Sequence, residues 1–286
     1  MHKSFEIDGP AEIDVRLAAG EIDIDPTLDG KIEVELTAHD EESQRAVDEA
    51  RVELRDRNLV VDVPLRRGGF SLALLFDRQG ITCRIRCPHE SGLSVRSKSA
   101  DVHARGTLGG LHVATASGDV EVDRVKGGVN VKSASGDVSA NAVGSGVNIQ
   151  TASGDISLEV VRGPINVATA SGDLSIGEAY DNVSANTVSG DQDHGAVMRG
   201  HVSAHSVSGD VSIGIRRGSK VFLDCNTVSG DTTSELELTT EAPAGGGPLV
   251  EVRAKTVSGD IRISRAPAPA GDDHNGSSDT VQEVHA

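Results

Sequence analysis

The sequence predicts an all-β protein: a right-handed parallel β-solenoid of about 18 residues per rung, preceded by a strand-rich N-terminal module with one short helix. Three observations lead there. The first is a repeated turn. Thr115-Ala116-Ser117-Gly118-Asp119-Val120 returns around Asp137, Asp155, Asp173 and Asp191 at steps of 18 residues, then around Asp210, Asp231 and Asp260 at steps of 19, 21 and 29. A weaker copy, Ser97-Lys98-Ser99-Ala100-Asp101-Val102, precedes the first by 18. Self-similarity at a fixed period signals a repeat architecture. The second is alternation of apolar and polar residues on both sides of each turn, the period of a strand. The third is composition: Val, Ile, Thr, Ser and Gly dominate, as in a β protein rich in turns.

Residues 1–92 read as a strand-rich module continuous with the repeat. Ile22, Ile24, Ile32, Val34 and Leu36 alternate with acids, and Ala18-Ala19-Gly20-Glu21-Ile22 faintly echoes the later turn. Residues 40–50 form the helix candidate. Acids fill its first turn, which suits the helix dipole, and Ala46, Val47 and Ala50 make a narrow apolar stripe. Asn58 to Val63 reads as a strand ended by Pro64. The segment 64–80 breaks the pattern, with Gly and Arg flanking the apolar run Phe70 to Phe76. A buried strand is the plainer reading. An exposed patch in which Phe70, Leu72, Leu74 and Phe76 contact a partner is the sharper one. In Ile81 to Pro88, Cys83, Ile85 and Cys87 share one strand face. Four residues of straight strand span about 13 Å. That is too far for a disulfide, whose Cα atoms lie within about 7 Å. A metal site with His89 is set behind two buried thiols.

Residues 93–264 carry the repeat, with rungs beginning at Leu93, Leu111, Val129, Val147, Ile165 and Val183. Positions 1, 3, 10 and 12 should point inward, for example Val129, Val131, Val138 and Ala140. Position 15 (Val125, Val143, Val161, Val197) should plug the return. One unit cannot bury its apolar face alone, but stacked units can. Three hexapeptides per rung are excluded because apolar positions do not recur every six. The right hand follows from the preference of parallel crossovers. A hairpin meander is second, because it does not explain near-identical rungs. Residues 232–248 hold an insertion ending in a Gly/Pro loop, and 265–286 read as a disordered tail.

A net charge of -17 sets aside nucleic acid and anionic membranes as partners. Aromatic content of 2% argues against stacking grooves for sugars or single strands. The N-terminus lacks the apolar core of a signal peptide, and no run approaches a membrane span. Three cysteines fit a reducing compartment. The expected location is therefore cytoplasmic, with peripheral membrane association left open.

The Thr/Ser-Ala/Val-Ser-Gly-Asp turns, the strand Ile81 to Pro88 and the strand-rich opening Phe5 to Asp25 resemble a bacterial β-strand-repeat family of unknown function, commonly labelled "putative adhesin". The likeness runs over roughly residues 4–264. It implies a repeat fold and an adhesin-like binding role, and it carries over no catalytic residues.

The chief candidate site is the turn ladder of Asp101, Asp119, Asp137, Asp155, Asp173, Asp191, Asp210, Asp231 and Asp260. Stacked carboxylates repel by roughly 1 kcal/mol per pair in water. In the structural reading, each accepts amide hydrogen bonds from its own corner. In the functional reading, they line up calcium, but one carboxylate and one Ser per rung are few ligands. Asn130, Asn148 and Asn166 form an outward ladder suited to side-chain hydrogen bonding. The rung at residue 183 is deviant, with Gln192 and His194 where apolar residues belong. Asp191, Asp193, His194 and His205 are the weak metal candidates there, set behind a bulged rung. No catalytic set, phosphate loop or dinucleotide fingerprint appears, and no cofactor is expected.

The expected function is a non-enzymatic scaffold or binding module, a rigid acidic rod that meets a protein or cell-envelope partner. The alternatives are a self-assembling homo-oligomer stacked end to end and a calcium-dependent binding protein. A polysaccharide-active enzyme ranks last, because the acids stand singly and lack aromatic neighbours.

Overall fold

The computed structural model describes residues 1–64, 80–236 and 248–266. Its first part holds β1 (His2–Glu6), β2 (Glu12–Asp25), β3 (Lys31–Ala38), α1 (Glu41–Asp48), β4 (Arg51–Arg55), β5 (Asn58–Asp62) and β6 (Ile81–Arg86). A long strand, β7 (Gly92–Leu108), starts the repeat. Each following rung has two strands: β8 (Gly110–Ala114) with β9 (Val120–Val125), β10 (Val129–Lys132) with β11 (Val138–Val143), and β12 (Val147–Ser153) with β13 (Ile156–Val161). Next come β14 (Ile165–Ser171) with β15 (Leu174–Ala179), β16 (Val183–Ser189) with β17 (Gln192–Val197), and β18 (Gly200–His205) with β19 (Val211–Ile215). The last are β20 (Lys220–Ser229) with β21 (Thr232–Ser234), and β22 (Leu249–Ser258) with β23 (Ile261–Arg265).

Equivalent strands of successive rungs pair in parallel and in register. Val129 lies between Leu111 and Val147, and Val138 lies between Val120 and Ile156. This is the solenoid, and it rules out the hairpin meander. The inward positions hold: Val129, Val131, Val138 and Ala140 are buried, as are Val147, Ile149, Ile156 and Leu158 in the next rung. Val125, Val143, Val161 and Val197 at position 15 are buried too. Each fully buried aliphatic side chain contributes roughly 1.5–3 kcal/mol through removal from water. The stack of these contributions is the core.

The faint echo at Ala18 to Ile22 is a true rung. β2 pairs with β7 from Glu12↔Gly92 to Ile24↔Ala104, placing Gly20 beside Ala100 and Glu21 beside Asp101. On its other side β2 pairs with β5 and then β6, which together make one more rung. With the nine rungs that begin at β7, the rod is roughly 50 Å long at strand spacing. Antiparallel strands then close this end: β3 on β6, β1 on β3, and β4 on β5. Asp40 caps α1 by accepting from the Ser43 amide at 2.7 Å, and Val47 of the apolar stripe is buried.

The far end departs from chain order. β18 and β19 pair with β22 and β23, and these in turn pair with β20 and β21. The last rung in sequence is thus the next-to-last in space. The apolar run Phe70 to Phe76, most of the Gly/Pro insertion and the tail beyond Ala266 lie outside the described residues. Among the described residues, no helix is long and apolar enough to cross a membrane.

Candidate functional site

Each corner begins with a hydroxyl at position 5, and in the middle rungs it turns back on its own corner, whereas Thr227 and Thr256 donate to the Gly259 and Gly209 carbonyls of the next rung. Thr151 donates to the Ser153 carbonyl at 2.8 Å, and Thr169 donates to the Ser171 carbonyl at 3.1 Å. Glycine follows because the corner requires it. Gly154 has φ of 123°, and a Cβ there would run into the carbonyl oxygen of Gly136 in the rung below.

The aspartates correct the expectation that they bond their own corner. Among the described residues, every carboxylate of the ladder but that of Asp231 at the open end reaches across to the adjacent rung. Asp101 Oδ1 accepts from the Asp119 amide at 3.0 Å, Asp119 from Asp137 at 2.9 Å, and Asp137 from Asp155 at 2.8 Å. Asp155, Asp173 and Asp191 accept in the same way from Asp173, Asp191 and Asp210. The chain of bonds then follows spatial order, with Asp210 accepting from Asp260 and Asp260 accepting from Asp231. The reason is geometric. In-register stacking aims each aspartate's N–H along the rod axis, at the carboxylate one rung away. An ionised acceptor makes the bond a strong one and offsets repulsion between neighbours. The ladder is a rung-to-rung clamp.

The metal candidates do not converge. Strand alternation sends His194 into the core and Asp193 out to solvent. His205 lies on the outer side of β18, where its Nε2 sits 3.1 Å from the Ser203 hydroxyl. Among the described residues, no three His, Cys, Asp or Glu side chains are grouped as metal ligands would be. His194 stacks instead between Ile176 and Ile213, and the pairing of β17 with β19 slips just after it, so this rung carries the bulge. Gln192 beside it is buried and donates to the Thr187 hydroxyl at 3.0 Å and to the His205 carbonyl at 2.9 Å. His194 Nε2 lies 3.4 Å from Gln192 Oε1, while Nδ1 has no partner among the described residues. Burial drives the imidazole pKa down to about 4, so His194 is neutral at physiological pH.

Cys83 and Cys87 are buried, and burial pushes both thiols up to about 12. They are core residues rather than nucleophiles. Asn130, Asn148 and Asn166 stack in register as expected. However, Asn130 Oδ1 is buried without a partner among the described residues, so the ladder is not hydrogen-bonded throughout.

One surface feature escaped the sequence reading. The residue before Ser-Gly-Asp is Ala116, Ala134, Ala152 and Ala170 in one half of the repeat, and Val188, Val207, Val228 and Val257 in the other. All four valines are exposed, from 49% to 79%. The neighbouring serines pair in the order Ser189, Ser208, Ser258, Ser229, so the valines form one ridge along the corner. The switch from Ala to Val was the available signal.

Stacked corners, an aliphatic core and a clamped acidic edge define a β-solenoid repeat protein whose polar ladder is structural. The chain belongs to the Toastrack DUF4097 family, whose model matches residues 11–264. No curated protein matches it. Among solved structures, it is similar to a "putative adhesin" from Bacteroides fragilis, at 15% identity and TM-score 0.49, covering 92% of this chain and 96% of that one. A "putative adhesin" from Parabacteroides distasonis matches at 14% identity and TM-score 0.45, with the same coverage. A "putative lipid binding protein" from the same species matches at 12% identity and TM-score 0.43, over 93% and 96% of the two chains.

Proposed function

We propose that the chain is a non-enzymatic binding scaffold, a rigid acidic solenoid that presents a repetitive surface to a protein or cell-envelope partner. The observation that carries this reading is the ridge Val188, Val207, Val257 and Val228. Apolar side chains stacked on an otherwise polar corner favour contact with a partner surface. The aspartates beside them are engaged by backbone amides and supply charge rather than chemistry. The buried cysteines and His194 have no access to a substrate.

The test exploits the alanine half of the repeat. Replacing all four ridge valines by alanine reproduces corners the protein already uses, so the fold should be kept. Cross-linking in the native host is then compared for the wild-type chain, the ridge variant and a variant altered at Asn130, Asn148 and Asn166. The ridge variant should lose cross-linked partners that the asparagine variant retains. Identical partners for all three chains would defeat the proposal.

A further inference from the structure

The far end of the rod is unlike its other surfaces. Among the described residues, β20 pairs on one side only, with β22. The Lys220 amide points back at the Pro248 carbonyl. By the alternation of a parallel ladder, the amides and carbonyls of Val221, Leu223 and Cys225 therefore point out of the free edge. The side chains of the same three residues face the core side but are only partly buried, and no rung among the described residues covers them. Outward, Phe222 is 57% exposed. An unpaired apolar edge of this length is a template for another strand.

We infer that two copies of this chain pair end to end through the free edges of β20, antiparallel and about a two-fold axis at Phe222. Three features favour a second copy as the occupant. The edge needs a strand with the same inward alternation and rung width, and an identical rung has both. Antiparallel pairing about Phe222 sets Val221 opposite the other copy's Leu223, in line with the outward-pointing amides. It also sets Lys220 opposite the other copy's Asp224, twice, on the outer face. Residues directly opposite lie about 4.5–5.5 Å apart, close enough for each Lys–Asp pair to form and for the two Phe222 rings to meet. The charge pairing selects this register: centring the axis one residue on would set Lys220 opposite Asn226 and Asp224 opposite Phe222.

Assembly stops at two. The opposite end offers β4, whose outward residues are charged, with Glu53 bonded to Arg51 at 2.7 Å and to Arg55 at 3.0 Å. Lys3 ties β1 to β4 by donating to the Val52 carbonyl at 2.9 Å. A two-fold contact at one end with a charged cap at the other gives a closed dimer, not a filament.

Sedimentation velocity of the full chain over a concentration series tests this. The wild-type chain should run as a dimer at micromolar concentrations. Lys220→Asp and Asp224→Lys should each weaken the dimer about tenfold or more. The double swap Lys220→Asp/Asp224→Lys should restore it, and because these side chains face outward the folded monomer is preserved. Leu223→Lys should give monomers with an unchanged circular dichroism spectrum. A wild-type chain that stays monomeric to millimolar concentration overturns the inference. Strong amide-exchange protection of residues 221–225 in such a monomer would assign the edge to this chain's own residues. A double swap that fails to restore association would overturn the register.

Discussion

At the N-terminal end the outermost solenoid rung, β5 with β6, is covered by antiparallel strands, a helix and charged edge residues. At the C-terminal end the outermost rung, β20 with β21, follows the same inward pattern but has no described cover. Leu59 in the first is fully buried, while Leu223 in the second is only partly so. The same repeat logic therefore yields a load of buried apolar contact at one end and unspent apolar surface at the other. In a solenoid, stability is a sum over neighbouring rungs, so each interface can be probed separately.

The largest effect should come from truncating matched leucines at the two ends. Leu59→Ala should cost about 2–5 kcal/mol, the range for a fully buried leucine. Leu223→Ala should cost less than about 1.5 kcal/mol, since less surface is removed from water. Urea unfolding of both variants, under conditions where the chain is monomeric, measures the difference. Equal costs would show that the far end is as well covered as the near one.

The next effect concerns the rod's interior near the open end. His194 is held neutral inside the fold, with a pKa depressed from about 6.5 to about 4. The unfolded chain therefore binds a proton first as pH falls. Stability is complete above about pH 6.5 and is lost progressively down to about pH 4, by about 2 kcal/mol at pH 5. His194→Ile, which continues the Ile176 and Ile213 stack, should remove that loss. Its melting temperature relative to wild type should rise between pH 8 and pH 5. A gap that is flat with pH would contradict the assignment.

The smallest effect tests the carboxylate clamp. Asp155 accepts the amide of Asp173, whereas among the described residues Asp231, at the open end, receives no such bond. Asp155→Ala should cost about 0.5–1.5 kcal/mol, the net worth of a hydrogen bond whose freed amide water can reach. Asp231→Ala should stay within about 0.5 kcal/mol. Parallel thermal melts of the two variants decide it.

Much of this was legible beforehand, for a physical reason. A residue repeated at every rung reports a demand that every rung makes, so inward valines, corner glycines and the period itself could be read directly. What depended on a neighbour could not. Asp119 announces a turn, but the donor of its hydrogen bond lies 18 residues away, and only register identifies it. Gly20 marks a corner like the others, yet Glu21 in place of Asp blurred it. The candidate metal residues were close in sequence, and strand alternation placed them on opposite sides of the wall. The final rungs carry the same Thr-Val-Ser-Gly-Asp corner, so nothing local distinguishes their order in space.

That exchanged order has a consequence for how the molecule is made. Residues 249–265 leave the ribosome after residues 220–234, yet they form the layer on which those earlier residues rest. The terminal rung meets its native partner only once the later segment is in place against β18 and β19. The segment acts as a keystone. A chain interrupted before residue 249 lacks both the β22–β23 layer and the native support of the β20–β21 layer.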